Sequence, residues 1–175
     1  MSVLMPTSVS PILYLDLDGV LADFEGYGKK IVGFRPAERG LVKYNRPDWA
    51  RISKNKRLYS ELNVLPGALN FVFQCKQLSA AHNFDIRFLS AIPQDLPVNW
   101  AVWDKTQWVQ KYFPGIPLFL GPYSRDKWKH CTPGDMLIDD RLDNIQDWKE
   151  KGAGEACHHT GDFEQTLEKL VKWTC

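Results

Sequence analysis

The sequence predicts an α/β fold in which a parallel β-sheet is flanked by helices. Short apolar segments rich in strand-forming residues alternate with longer segments that show helical spacing. Two of the apolar segments end in closely spaced aspartates, and the carboxyl ends of parallel strands are where such sheets bind ligands. With 175 residues, 44% of them apolar and 25% charged, the chain is large enough to bury the core of one domain.

Five strands and four core helices are predicted from this alternation. The predicted strands are 12–16, 84–90, 116–120, 136–139 and 155–159. The predicted helices are 66–80, 98–113, 144–151 and 163–173. Pro66 is typical of the first turn of a helix, and Pro114 followed by Gly115 is typical of a helix end. Strands that alternate with helices in this way are parallel and are covered on both faces.

The segment after the first strand differs in character from the rest of the chain. Residues 26–63 are basic, contain several early glycines and follow a helical pattern over 49–62. We therefore predict a small, mostly helical insertion at 26–63, with the α/β core formed by 1–25 and 64–175.

Asp16 and Asp18 follow the first apolar segment and are separated by one residue, so a continuing strand would place both on one face. Gly19 allows the chain to turn away at this point. Two carboxylates about 4 Å apart repel each other by about 4 kcal/mol at an effective dielectric constant near 20. A hard divalent cation, most simply Mg²⁺, would relieve that repulsion. For this motif alone, a solvated turn at the end of a strand is an equal alternative.

A second acidic pair, Asp139 and Asp140, follows the apolar segment 136–138. Between the two acidic motifs lie Ser90, at the end of a predicted strand, and Lys127, in a predicted polar loop over 124–127. Taken singly, each of these residues could have a structural role instead of a functional one. Ser90 could be a hydrogen-bonded hydroxyl at the end of a strand, Lys127 a solvated surface charge, and the acidic pair a helix cap. Two strand ends that both carry acids predict a shared metal site.

The ordered set of acid pair, serine, lysine and acid pair resembles the motifs of the haloacid-dehalogenase superfamily of aspartyl phosphotransferases. The run from Asp16 to Val20 is similar to the first motif, Ser90 to the second, Lys127 to the third, and Asp139 with Asp140 to the fourth. More specifically, four segments resemble the 5′(3′)-deoxyribonucleotidase branch of that superfamily. They are 16–25, 62–68, 108–113 and 124–127.

Two positions depart from that branch. Ala91 stands where the branch has a second hydroxyl residue, and Lys129 competes with Lys127 because the stretch up to Asp139 is longer than in the branch. The context Arg125-Asp126-Lys127 favours Lys127 as the third motif.

The resemblance implies catalytic roles for four residues. Asp16 would be the nucleophile that becomes phosphorylated, and Asp18 would be the general acid and base. Ser90 and Lys127 would bind the phosphoryl oxygens. The resemblance also implies a Mg²⁺ cofactor held by Asp16, by the backbone carbonyl of Asp18 and by Asp140, with Asp139 as an orienting or water-bridged partner.

The resemblance further implies a substrate and a cap. The substrate would be a (deoxy)ribonucleoside monophosphate, and the insertion at 26–63 would cover the active site. Candidate substrate-binding residues are Phe24, Trp49, Ala91 and Arg141. Core packing is the alternative for Phe24 and Trp49, and pairing with an acid is the alternative for Arg141.

Other function classes are less consistent with the sequence. A phosphatase for another small phosphoester, such as a sugar phosphate, is the alternative within the superfamily. A phosphoacceptor signalling domain uses similar residues, but the order found here argues against it. Nothing in the sequence supports an inactive binding protein.

Composition gives expectations about partners and location. A net charge of +1 provides no broad basic surface, so we expect no binding to long nucleic acid. The four cysteines show no metal or disulfide spacing. We find neither a signal peptide nor an apolar span, so we expect a cytoplasmic protein with no membrane association. The resemblance leaves a homodimer open.

Overall fold

The computed structural model describes residues 10–38, 41–93, 100–121 and 123–175. The strands are β1 (Ile12–Leu15), β2 (Ala37–Glu38), β3 (Leu41–Val42), β4 (Asp85–Ser90), β5 (Leu118–Leu120), β6 (Met136–Asp139) and β7 (Glu155–His158). The α-helices are α1 (Phe24–Val32), α2 (Arg46–Ile52), α3 (Ala68–His82), α4 (Trp100–Tyr112), α5 (Leu142–Glu150) and α6 (Phe163–Trp173). Two 3₁₀ helices span Tyr59–Glu61 and Ser124–His130.

Five strands form one parallel sheet in the order β5-β4-β1-β6-β7. In this sheet β1 is central, and Leu13 pairs with Ile86 of β4 on one side and with Met136 of β6 on the other. Helices flank the sheet, so the predicted α/β class and parallel sheet are confirmed. Because β1 lies between β4 and β6, the carboxyl ends of these three strands meet at one edge of the molecule.

The core is divided by the sheet, as the period of two along a strand requires. Leu13 and Leu15 of β1 pack in the larger apolar cluster, whereas Ile12 and Tyr14 pack in a smaller cluster with Trp148 of α5. All four β1 residues are buried. This explains why β1 reads as a continuous apolar run rather than an alternating one.

The chain leaves the core after β1 and returns to it at neighbouring positions. The Asp23 N–H donates to the carbonyl of Asn63 at 2.9 Å, and the Leu65 N–H donates to the carbonyl of Leu21 at 2.8 Å. Between these contacts lie α1, the antiparallel pair of β2 and β3, α2 and the first 3₁₀ helix. The division into a core and an insertion at 26–63 stays a prediction.

The predicted helix over 49–62 is wrong in most of its length. The helix α2 begins earlier and ends at Ile52, and only Tyr59–Glu61 is helical further on. The polar run after Ile52 explains the break, because the Asn55 side chain accepts a hydrogen bond from the Arg57 N–H at 2.9 Å and forms a local turn.

Other boundaries shift by a few residues, as is common at helix ends. The helix α3 begins after Gly67, whose φ of 87° is left-handed, rather than at Pro66. The predicted start of α4 at Val98 lies outside the described residues. The predicted polar loop over 124–127 is instead part of the 3₁₀ helix Ser124–His130. In the described parts of the chain, no helix has the length and apolar character to cross a membrane.

Candidate active site

Asp16 lies directly after β1, where its N–H donates to the carbonyl of Ile138 at 3.0 Å. The chain then turns sharply, and Gly19 adopts a φ of 82° that other residues rarely tolerate. A Cβ atom on Gly19 would lie 2.1 Å from the Asp140 carboxylate. The turn therefore brings the first acidic motif into contact with the second only because residue 19 is glycine.

The two acidic motifs converge, as predicted from the strand ends. Oxygen atoms of Asp16, Asp139 and Asp140 lie within 4.8 Å of one another. Asp139 is fully buried at the end of β6, and Asp140 follows it at the cavity surface. The parallel pairing of β1 with β6 produces this arrangement, since both strands end at the same edge.

Lys127 is buried between the two motifs. Its Nζ atom lies 2.8 Å from Asp16 Oδ1 and 2.7 Å from Asp139 Oδ2. Burial disfavours the charged form of Lys127, but Asp139 and Asp16 outweigh this and raise its pKa above the usual range. Lys129, the rival in sequence, is exposed and pairs with Asp126. The structure thus places Lys127, and not Lys129, among the acids.

Two of the clustered acids hold their protons more tightly than free carboxyl groups. Burial, opposed by Lys127 and aided by Asp139 and Asp18, raises the pKa of Asp16 to about 7. Burial together with Asp139 and Asp16 raises the pKa of Asp140 to about 8. These directions mean that the cluster lacks enough positive charge to ionise fully at neutral pH.

The donor set fits a hard divalent cation. Asp16 Oδ1 receives hydrogen bonds from the Leu17 N–H and from Lys127, which leaves Oδ2 without a partner among the described residues. Asp140 faces the cavity with its carboxylate. Free carboxylate oxygens with raised pKa values are what a cation such as Mg²⁺ would use and neutralise. The Asp18 carboxylate is not part of this cluster, and the predicted use of its backbone carbonyl stays a prediction.

Lys105 is a site residue that the sequence analysis missed. It lies on α4 with 2% of its surface exposed, and its Nζ atom donates to Ser90 Oγ at 2.7 Å and to the Asp18 carboxylate. A signal was present in the sequence, because Lys105 occupies the same helical stripe as the buried Ala101 and Trp108. A lysine on an apolar stripe predicts a buried partner, which here is Asp18.

Ser90 lies at the end of β4 and is fully buried, with its hydroxyl held by Lys105. It does not line the cavity, unlike Asp16, Asp18 and Lys127. Ser90, the predicted second motif, therefore contacts Lys105, which also contacts Asp18, and does not itself reach the cavity. Its hydroxyl hydrogen is still free to donate, and its role stays a prediction.

A cavity of about 590 Å³ opens over the acids. Part of its wall is aromatic and is made by Phe24, Tyr44, Trp49 and Tyr59. The Phe24 ring stacks on Tyr59 with centroids 6.0 Å apart and an interplanar angle of 15°, and it contacts Trp49 at 5.6 Å. The α1 helix approaches Tyr44 closely, because a Cβ atom on Gly28 would lie 2.1 Å from the Tyr44 hydroxyl oxygen. The early glycines of the insertion thus allow this wall to form.

All four predicted substrate-binding residues line this cavity. Phe24 and Trp49 belong to the aromatic part of the wall, whereas Ala91 directly follows Ser90 and Arg141 directly follows Asp140. Phe24 and Trp49 also pack against the main core cluster, so each of them takes part in core packing and lines the cavity as well. The Arg141 Nε atom is buried without a hydrogen-bond partner among the described residues. Their predicted binding roles stay predictions.

The fold and the converging motifs define a member of the haloacid-dehalogenase superfamily. The family model described as 5′ nucleotidase, deoxy (Pyrimidine), cytosolic type C protein matches residues 10–167, and the chain belongs to this family. A solved structure described as a haloacid dehalogenase-like hydrolase of Burkholderia xenovorans LB400 covers 95% of this chain and 100% of its own. It shares 14% identity at a TM-score of 0.50, which is a likeness of fold.

Two human proteins illustrate the similarity within the family. The mitochondrial 5′(3′)-deoxyribonucleotidase of Homo sapiens is 31% identical over 147 residues, covering 74% of this chain and 61% of that protein. The cytosolic type of Homo sapiens is 27% identical over 186 residues, covering 91% of this chain and 88% of that protein. The chain thus spans about three fifths of the length of the mitochondrial relatives that it matches.

Proposed function

We propose that this protein is a magnesium-dependent phosphomonoesterase. It hydrolyses (deoxy)ribonucleoside monophosphates to nucleoside and phosphate through an aspartyl-phosphate on Asp16. The observation that carries the proposal is the convergence of Asp16, Asp18, Lys127 and Asp140 in one cavity whose wall also contains a group of aromatic side chains. Family membership and the names of the relatives support the same activity.

In the first step, Asp16 Oδ2 attacks the phosphorus atom of the bound ester and forms a P–O bond. The bond between phosphorus and the nucleoside oxygen breaks, and Asp18 gives its proton to that leaving oxygen. Asp16 is suited to the attack because one of its oxygens is fixed by the Leu17 N–H and Lys127 while the other has no partner among the described residues.

In the second step, Asp18 takes a proton from a water molecule, and the resulting hydroxide attacks the phosphorus of the aspartyl-phosphate. The bond to Asp16 breaks, free phosphate departs, and both aspartates return to their starting states. Lys105 contacts the Asp18 carboxylate and holds it at the cavity edge during both proton transfers.

Positive groups balance the charge that moves between these steps. Asp16, Asp140 and the backbone carbonyl of Asp18 would hold Mg²⁺, which supplies Lewis-acid stabilisation of the phosphoryl oxygens when bound. Lys127 supplies one positive charge between Asp16 and Asp139. Ser90 and Lys105 form a second donor pair beside Asp18.

The aromatic wall favours a nucleotide over a sugar phosphate. A volume of about 590 Å³ lies within the usual range for small-molecule sites. Aromatic side chains stack on bases of any sequence, at about 1–3 kcal/mol per base. A sugar phosphate or phosphoserine would leave Phe24, Trp49 and their neighbours without a ligand surface to cover.

Location and assembly are further parts of the proposal. We propose a cytoplasmic protein, in line with the cytosolic-type human relative and unlike the mitochondrial relatives. We also propose a homodimer, which sedimentation equilibrium of the pure protein would test directly.

The decisive experiment measures phosphate release from a panel of substrates by kcat/KM. The panel contains ribo- and deoxyribonucleoside 5′- and 3′-monophosphates, β-glycerophosphate, a hexose phosphate and phosphoserine. We expect multiple turnovers with nucleotides, loss of activity in EDTA and recovery with Mg²⁺. Full activity in EDTA would contradict the metal dependence. A preference for the sugar phosphate would contradict the nucleotide assignment.

A further inference from the structure

Asn144 holds a position that the proposed chemistry does not yet use. It lies in the first turn of α5 and has 4% of its surface exposed. Its Nδ2 atom donates to both oxygens of Asp139, at 3.0 Å to Oδ1 and 2.9 Å to Oδ2. Its Oδ1 atom accepts a hydrogen bond from Ser124 Oγ at 3.0 Å. A single amide thus contacts both the second acidic motif and the 3₁₀ helix that carries Lys127.

Both oxygens of the Asp139 carboxylate are engaged by protein donors. Besides Asn144, its Oδ1 accepts from the Arg141 N–H at 2.9 Å and its Oδ2 accepts from Lys127 Nζ at 2.7 Å. Asp139 could turn toward a cation only by weakening some of these hydrogen bonds in a fully buried position, which is costly.

Asp140 is in the opposite state. The influences on its carboxyl group are burial and neighbouring charges, with no hydrogen bond among the described residues. Its carboxylate lies against Gly19 and faces the cavity. The two adjacent aspartates thus differ: Asp139 accepts hydrogen bonds on both oxygens, whereas the Asp140 carboxylate accepts none from the described residues.

We propose that Asn144 is a positioning residue that reserves Asp140 for the divalent cation by engaging Asp139. Asn144 fixes the plane of the Asp139 carboxylate against Lys127, and the Ser124 contact fixes Asn144 itself. This inference rests on the proposed metal-dependent function. It concerns which of two neighbouring acids binds the metal and how rigidly that acid is presented.

The side chain at position 144 has the chemistry that this role needs. The amide nitrogen donates to both oxygens of Asp139, and the amide oxygen accepts from Ser124. A leucine of similar size would remove these contacts and leave only Lys127 and the Arg141 N–H to hold Asp139, so its carboxylate would be less restrained from turning toward the cation. The ligand set would then be looser and more variable.

A looser ligand set affects Mg²⁺ more than Ca²⁺. Mg²⁺ demands near-ideal octahedral geometry with short bonds, whereas Ca²⁺ accepts variable numbers of oxygen ligands. Loss of a partner that orients a metal ligand typically costs 10- to 100-fold in metal affinity. The ratio of Mg²⁺ to Ca²⁺ affinity therefore reports on positioning, while a general loss of stability would leave the ratio unchanged.

The test compares Asn144→Leu with Gln146→Leu by calorimetric titration of Mg²⁺ and Ca²⁺ without substrate. Gln146 is a matched control, since it is exposed on the same helix and its side chain contacts only Glu150 among the described residues. We expect Asn144→Leu to weaken Mg²⁺ binding about 10-fold and Ca²⁺ binding much less. Gln146→Leu should leave both affinities within about 2-fold of the unaltered protein.

A second variant keeps the test valid if Asn144→Leu does not fold. Ser124→Ala removes the contact to the Asn144 Oδ1 but keeps the Asn144 Nδ2 contacts to both oxygens of Asp139, and we expect a smaller fall of the Mg²⁺/Ca²⁺ affinity ratio in the same direction. An unchanged ratio in a folded variant would overturn the role of Asn144 alone. If the unaltered protein bound no Mg²⁺, or if Asp140→Asn bound it equally well, the proposed metal site itself would be overturned.

Discussion

The acidic and the aromatic linings of the cavity come from different parts of the chain. The acidic lining comes from the ends of the sheet strands, where Lys127 lies 2.8 Å from Asp16 and 2.7 Å from Asp139. The aromatic lining comes largely from residues within 26–63, joined by Phe24 of the preceding segment, whose ring centroid lies 5.6 Å from that of Trp49. Charged contacts at short range require one geometry, whereas stacked rings tolerate variation.

Catalysis and substrate recognition should therefore respond to different substitutions. Changes in the acidic lining should lower kcat, because those groups act on the reacting phosphorus. Changes in the aromatic lining should raise KM for nucleotides and spare substrates without a base.

Asp16→Asn should reduce kcat by at least about 10³-fold, since an amide oxygen is a poor nucleophile for phosphorus. Phosphate release from a deoxyribonucleoside monophosphate measures the effect. Asp85→Asn, an exposed aspartate at the start of β4, is the matched control and should keep full activity. Sustained turnover by a folded Asp16→Asn protein would exclude Asp16 as the nucleophile.

Lys127→Ala should lower kcat by about 10²- to 10³-fold, the usual cost of removing one preorganised charged donor. Lys129→Ala should change kcat by less than about 2-fold, because Lys129 is exposed and its partner Asp126 is outside the cluster. Removing the buried Lys127 also leaves Asp16 and Asp139 unpaired, so circular dichroism must accompany the assay. If Lys129→Ala were the more damaging change, the third motif would belong to Lys129.

Lys105→Met should lower kcat by about 10- to 100-fold, which corresponds to a hydrogen bond to a charged group. Methionine keeps the length and apolar stem of the side chain but removes the contacts to Ser90 and Asp18. Lys111→Met, on the exposed side of α4, provides the control. Unchanged kinetics would mean that Lys105 only fills space beneath the cavity.

Trp49→Ala should raise KM for nucleoside monophosphates about 10-fold, in line with the loss of one aromatic contact to a base. The kcat/KM for β-glycerophosphate should stay within about 2-fold of the unaltered protein. Trp103→Ala removes a tryptophan that is 60% exposed on α4 and does not line the cavity, so it controls for tryptophan loss. Equal damage to both substrates would show that Trp49 supports the core rather than a base.

The smallest effect concerns pH and metal-induced stability. The folded-state pKa values of Asp16 and Asp140, about 7 and about 8, exceed the ordinary value of 3.8. The metal-free native state therefore holds protons that the unfolded chain releases, and its stability falls as pH rises from about 4 to about 8. A cation bound to the ionised acids removes this penalty.

The increase in Tm caused by saturating Mg²⁺ should thus be larger at pH 8 than at pH 5, reaching about 5 °C at pH 8. Differential scanning calorimetry with and without the metal measures it. Asp140→Asn should show a much weaker pH dependence. A metal-induced shift that is the same at both pH values would contradict the charge balance described for the cluster.

Local sequence patterns were sufficient to predict most of the acidic residues of the site. Asp16, Asp139 and Asp140 each follow an apolar run, and a strand that must be buried on both faces predicts where its acids emerge. Lys127 was harder, because its neighbour Lys129 has the same chemistry. Only burial against two aspartates distinguishes them.

The insertion was predicted less well than the core. Its boundaries with the core are marked by a change in composition, but the helix over 49–62 was wrong because local turn chemistry at Asn55 ends the pattern. The β2–β3 pair has two residues in each strand, which is too short to leave a periodic signal.

The α/β class, the acidic strand ends and the order of the motifs can be read from local patterns, because apolar periodicity and strand-end chemistry are local properties. Three-dimensional packing was needed to show that Lys105 contacts Asp18 and Ser90, and that Asn144 contacts Asp139 while the Asp140 carboxylate accepts no hydrogen bond from the described residues. Those contacts join residues of different elements, and the direction and burial of a polar side chain depend on what packs around it.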